Sequence, residues 1–106
     1  MNLVVLTTFA DVDSARRVVA ALVEERLAAC VTMLPGAESC YWWEGRAVTN
    51  SEVLCVCKTT EAAWPAFQQR LKELHPYEIP EMICLPITAG WPPYLKWLSE
   101  STGAGR

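Results

Sequence analysis

The sequence has a single histidine, His75, and lacks a CxxC pair, a run of basic residues and any apolar run of bilayer-spanning length. Each absence removes a class of function. The lack of a basic block and the formal net charge of -3 weigh against nucleic acid, whose non-specific binding rests on Lys and Arg neutralising phosphates. Without a long apolar run, no membrane-spanning helix is expected. No basic n-region or small-residue cleavage site precedes the apolar run from Leu3, so no signal peptide is expected and the cytoplasm is the expected location. The five cysteines (Cys30, Cys40, Cys55, Cys57 and Cys84) are odd in number and do not space as a disulfide framework, which predicts free thiols in a reducing compartment. There is no glycine-rich phosphate loop and no Ser-His-Asp set, so neither an organic cofactor nor catalysis is expected. Cys84 with His75 is a candidate nucleophile–base pair by residue type alone. No repeat, linker or low-complexity tract divides the chain, and residues 1–106 read as one domain with a frayed tail from about Gly103.

What is present is apolar and β-prone. Hydrophobic residues make up 52% and charged residues 20%, as in a folded domain. The stretch 28–43 dominates. It runs from Ala28-Ala29-Cys30-Val31, breaks at Pro35-Gly36, and resumes into Cys40-Tyr41-Trp42-Trp43 before a hairpin turn at Glu44-Gly45-Arg46. As one extended strand it would reach roughly 50 Å, whereas a domain of this size has a diameter of roughly 35 Å. The ribbon therefore either folds back at Pro35-Gly36 or projects and is covered by another subunit.

The remaining elements follow in order. Leu3-Val4-Val5-Leu6 reads as an inner strand. Asp11 or Asp13 caps a helix over 14–25, with Ala15, Val18, Val19 and Leu22 on its apolar side. Residues 48–58 form the second hairpin arm, and their centre, Val53-Leu54-Cys55-Val56-Cys57, is apolar on both faces. Cys55 and Cys57 are expected in the core, although two thiols on one strand face could hold a soft metal. Thr59 or Thr60 caps a second helix carrying Phe67, Leu71 and Leu74, which His75-Pro76 ends. A strand over 82–87 follows. Pro92-Pro93 opens a last helix with Tyr94, Leu95 and Leu98 inward. Two strand–helix–strand units joined by a hairpin predict an α+β, ferredoxin-like split βαβ sandwich with a long β-hairpin and an extra C-terminal helix.

Several blocks carry a family resemblance. They are Arg26-Leu27-Ala28-Ala29-Cys30-Val31, Leu34-Pro35-Gly36, Tyr41-Trp42-Trp43-Glu44-Gly45, Lys58-Thr59, His75-Pro76-Tyr77-Glu78-Ile79-Pro80-Glu81, Leu85-Pro86-Ile87 and Tyr94-Leu95-Lys96-Trp97-Leu98. In content and order they resemble the CutA, or divalent-cation tolerance, family. The resemblance implies a cytoplasmic homotrimer with a ferredoxin-like core, assembled through its long hairpin and acting in the response to divalent metals such as copper. The chain departs from the family pattern in two places. Thr32 stands where the family often has Asn, and Thr7 where some members carry a cysteine near the proposed metal site. A trimeric architecture similar to that of the PII signalling family makes the sensing of a small molecule between subunits the alternative function.

Within the 75–81 block, one imidazole and two carboxylates suggest a mixed N/O metal site of His75, Glu78 and Glu81, with copper as the favoured ion. The alternative is that His75 closes the second helix while the carboxylates stay solvated. Tyr41, Trp42 and Trp43 are expected to pack against a neighbouring subunit, stacking on a ligand being the other reading.

Overall fold

The computed structural model describes residues 1–103. Its elements are β1 (Asn2–Phe9), α1 (Val12–Glu24), β2 (Cys30–Trp43), β3 (Arg46–Thr60), α2 (Trp64–Leu74), β4 (Ile83–Pro86) and α3 (Pro92–Glu100). The strands form one antiparallel sheet in the order β2-β3-β1-β4. This is the expected α+β, ferredoxin-like architecture, including the long hairpin and the added C-terminal helix.

Local chemistry sets the boundaries. Asp11 is the cap of α1: its Oδ1 accepts the Ser14 N–H at 2.7 Å and its Oδ2 accepts the Ser14 hydroxyl at 3.1 Å. The helix therefore starts two residues before the expected Ser14. Ala15, Val18 and Leu22 form its buried stripe. Thr60 does not cap α2. Its hydroxyl accepts the Ala63 N–H at 3.2 Å and closes the preceding turn, leaving Ala63 as a helix cap without a side-chain bond. Pro65 sits in the first turn, and His75 ends the helix in extended geometry as the residue before a proline should.

The two faces of the sheet differ. Leu3, Val5, Phe9, Val53, Cys55 and Cys57 are buried, and most of them form one core with Val18, Leu22, Phe67 and Leu71 of the helices. Val4, Leu6, Leu54 and Val56 alternate with them and face the other way. Ile83 and Leu85 are registered beside Leu6 and Val4 on that second face, and Leu34 lies opposite Leu54. Leu34, Ile83 and Leu85 are each nearly half exposed. α3 crosses only one end of this face, where Asn2 donates to the Leu95 carbonyl and Tyr94 meets Cys30. Of the residues expected inward on α3, Leu98 is buried and Leu95 half-buried, whereas Tyr94 is exposed.

The ribbon 28–43 does not fold back. It continues through Pro35-Gly36 as a β-bulge, shifting register between Leu34 and Ala37, and the molecule extends 45 × 27 × 21 Å. Gly36 takes φ +84°, where a side chain is disfavoured. Glu44 and Gly45 both have positive φ, as a tight two-residue hairpin turn requires. Gly103, where fraying was expected to begin, donates its N–H to the Arg26 carbonyl at 2.9 Å. The remainder of the expected tail, residues 104–106, lies outside the described residues.

Candidate functional site

The bulge decides which side chains meet. Cross-strand partners share a sheet face. Before it, Val31 and Met33 pair with Cys57 and Cys55 on the helix side. After it, Ala37 pairs with Glu52, which lies on the same side as Leu54. One extra residue thus exchanges the faces of β2. Ser39, Tyr41 and Trp43 are brought to the face that carries Glu52 and Thr8. There they meet the 77–81 loop and enclose an open cleft of about 820 Å³, lined by Thr8, Ser39, Cys40, Tyr41, Trp43, Glu52, Tyr77, Glu78, Ile79 and Glu81.

Among the described residues its lining carries three carboxylates, Glu52, Glu78 and Glu81, and no Lys, Arg or His. The Tyr77 hydroxyl donates to Glu52 Oε2 at 3.4 Å. Partial desolvation, reinforced by the nearby Glu52, holds the Glu81 carboxyl above the usual Glu range. Desolvation and Glu52 likewise push the Tyr77 phenol up.

His75 takes no part in the lining. It is 6% exposed, with its ring stacked on Phe9 at 4.2 Å between centroids and an interplanar angle of 15°. Its Nδ1 accepts the Tyr77 N–H at 3.1 Å, which leaves the proton on Nε2 to be donated to the Thr8 carbonyl at 2.7 Å. Both nitrogens are engaged, so the ring in this arrangement has no free lone pair for a metal. Burial holds its pKa below 6.5, against opposing contributions from the Thr8 bond and Glu52. The expected trio is therefore divided: Glu78 and Glu81 line the cleft, while His75 braces the loop that carries them. Among the described residues no group of three or more His, Cys, Asp or Glu side chains is placed to hold a metal ion. Cys84 gains no base, because the His75 nitrogens are committed elsewhere.

The thiols are unevenly placed. Cys55 and Cys57 are fully buried, Cys30 and Cys84 are half-buried, and Cys40 is exposed on the cleft wall. Tyr41, Trp42 and Trp43 are 40%, 75% and 59% exposed in the single chain. Glu52 was missed in reading the sequence. Its only signal is a carboxylate opening an otherwise apolar run.

The family model for the CutA1 divalent ion tolerance protein matches residues 3–101. The chain belongs to the CutA family. It is 50% identical to the divalent-cation tolerance protein CutA of Thermus thermophilus over 103 residues, covering 97% of this chain and 100% of that protein. The solved structure of the Thermus thermophilus protein superposes with a TM-score of 0.93 at the same identity and coverage. The CutA1 structure from Oryza sativa gives a TM-score of 0.93 at 41% identity, covering 96% of this chain and 94% of that one. A CutA from Archaeoglobus fulgidus, described as periplasmic, gives 0.90 at 30% identity, covering 95% and 98%. The matched residues 3–101 span both the bulged hairpin and the 77–81 loop. Among the described residues no helix is long and apolar enough to cross a membrane.

Proposed function

We propose that the chain acts as a non-enzymatic homotrimer in the response to divalent metal ions, binding copper or other divalent cations weakly. The observation that carries the cation reading is the cleft: three carboxylates on its wall and no cationic side chain among them. With no three ligands among the described residues placed around an ion, a cation there would be held by one or two carboxylates, with water or a neighbouring subunit filling its remaining positions. That donor set gives modest affinity. The trimer reading is supported by the partly exposed apolar sheet face of Leu34, Leu54, Val56, Leu6, Ile83 and Leu85, with Tyr41, Trp42 and Trp43 packing against a neighbour at the projecting end. Free thiols fit a reducing compartment, and the proposal accordingly places the protein in the cytoplasm.

The test is sedimentation at micromolar concentration combined with Cu²⁺ titration. Three times the chain mass and saturable Cu²⁺ binding weakened by Glu81→Gln support the proposal. A monomer, or binding unchanged in Glu52→Gln and Glu81→Gln, rejects it. A second reading, sensing of a small molecule as in PII-like signalling, is favoured by the cleft volume of about 820 Å³, which far exceeds the needs of a hydrated ion and falls in the usual range of ligand pockets.

A further inference from the structure

Register, charge and cover converge on one thiol. Cys30 opens β2 and stands directly opposite Lys58 of β3. Cross-strand partners project from the same face with Cβ atoms about 5 Å apart, so a lysine reaches past its neighbour's sulfur with length to spare. The Lys58 Nζ donates to the Cys30 Sγ at 3.7 Å and to the Thr32 hydroxyl at 3.4 Å. Among the described residues Lys58 has no carboxylate partner, so its ammonium rests on a sulfur and a hydroxyl. The Tyr94 hydroxyl of α3 also lies 3.7 Å from the same sulfur. Cys30 and Lys58 are half-buried, and the helix that crosses this end of the sheet belongs to their own chain. The other thiols lack this setting. Cys55 and Cys57 are fully buried, and neither Cys40 nor Cys84 has an amine within hydrogen-bonding distance among the described residues.

We propose that Cys30 and Lys58 form an oxidative modification site, at which hydrogen peroxide converts the pair into a covalent sulfur–nitrogen link between β2 and β3. The Cys30 thiolate, its proton released to solvent, attacks one peroxide oxygen, and the O–O bond breaks. The sulfur becomes a sulfenic acid and the departing hydroxide takes a proton from the Lys58 ammonium, giving water and a neutral amine. That amine then attacks the sulfur: the S–N bond forms, the S–O bond breaks, and the hydroxide leaves as a second water with a proton from the nitrogen. The sulfur is oxidised, the peroxide is reduced, and one proton is released in all. Sulfenic acids condense in this way with a nitrogen held beside them. Two equivalents of a thiol reverse the link, restoring the Cys30 thiol and the Lys58 amine and leaving as a disulfide. Both protein groups belong to one chain, so assembly supplies neither of them. The link would lie at the open end of the long hairpin, away from the turn at Glu44-Gly45, and would fix the register of its two arms.

The experiment uses the full chain carrying Cys40→Ser, which removes the exposed thiol, with its assembly state checked by sedimentation. The protein is treated with hydrogen peroxide, quenched, unfolded, digested and mapped by mass spectrometry. The peptides of Cys30 and Lys58 should appear joined, lighter by two hydrogen atoms than the separate pair, and should come apart on treatment with a thiol. The joined species should be absent when peroxide is added to the urea-unfolded chain, and absent in Cys30→Ser. Lys58→Arg keeps the positive charge but not the amine; it should abolish the link and leave Cys30 as a sulfenic or sulfinic acid. Tyr94→Phe should still form the link. Since the wild-type peptide map needs no variant at either linked position, a failure of Lys58→Arg to fold does not remove the test. Cys30 still reduced at peroxide levels that oxidise Cys40 in the unsubstituted chain overturns the proposal. So does oxidised Cys30 beside an unmodified Lys58, or equal linking in the unfolded chain. A joined species that retains an oxygen atom overturns the direct sulfur–nitrogen bond.

Discussion

His75 is held neutral by its surroundings: one nitrogen must accept from Tyr77 and the other must donate to Thr8. Burial lowers its folded-state pKa below the unfolded value of about 6.5. As pH falls below that value the unfolded chain takes up the proton first. Stability contributed by the neutral ring is therefore complete above about pH 6.5 and declines as pH falls toward the lower folded-state pKa. A pH series of melting temperatures should show this slope between pH 7 and 5, and His75→Gln should flatten it. His75→Ala removes the ring stacked on Phe9 and leaves the Thr8 carbonyl without its donor, which should cost about 3 kcal/mol in chemical denaturation. Thr7 behaves in the opposite sense. Its hydroxyl is buried with no partner among the described residues, so Thr7→Val, close in shape, should raise stability by about 1 kcal/mol. The thiols provide a third check. Desolvation pushes the Cys55 thiol up to about 11 and the Cys57 thiol up to about 12. Neither should react with a thiol reagent until the protein unfolds, whereas Cys40 should react at once.

The long hairpin depends on one backbone irregularity. A Cβ added at Gly36 would meet nothing within 4 Å, so a substitution there tests conformation alone. Gly36→Ala should cost about 1–2 kcal/mol through the left-handed φ, with the core unchanged. This irregularity also marks where the sequence stops being readable. The element order, the end of α2 at His75-Pro76 and the strand centred on Cys55 follow from proline chemistry and apolar periodicity, which act locally. The faces of Ser39, Tyr41 and Trp43 do not. Alternation along β2 is counted residue by residue, and whether Pro35-Gly36 adds a step appears only when the strand is laid against β3. The same reason hides the cleft. Glu52 lies far along the chain from Glu78 and Glu81, and their meeting depends on sheet order, bulge and loop together. His75 was legible as a helix terminus, but the two bonds that occupy its ring come from Thr8, on another strand, and from the backbone two residues on.

At the scale of the molecule, the helices cover one side of the sheet and α3 only an end of the other. Leu6→Glu places a charge in the middle of the second face without entering the core. It should convert the proposed trimer to a monomer in sedimentation while far-UV circular dichroism remains native. Trp42→Ala, at a ring 75% exposed in the single chain, should weaken assembly by about 2 kcal/mol or more if that ring is central to the interface. An unchanged assembly constant for both variants would place the contact elsewhere.

The exchange of faces at Pro35-Gly36 also bears on which changes of length the hairpin can accommodate. Beyond the bulge each residue of β2 is committed to one side by counting from Leu34. A single insertion or deletion in that arm returns Tyr41 and Trp43 to the helix side and sends Trp42 to the other. A change of two restores the alternation and only lengthens or shortens the projection. Natural length variants of this arm should therefore differ in even steps, and a compensating residue in β3 should accompany any odd one.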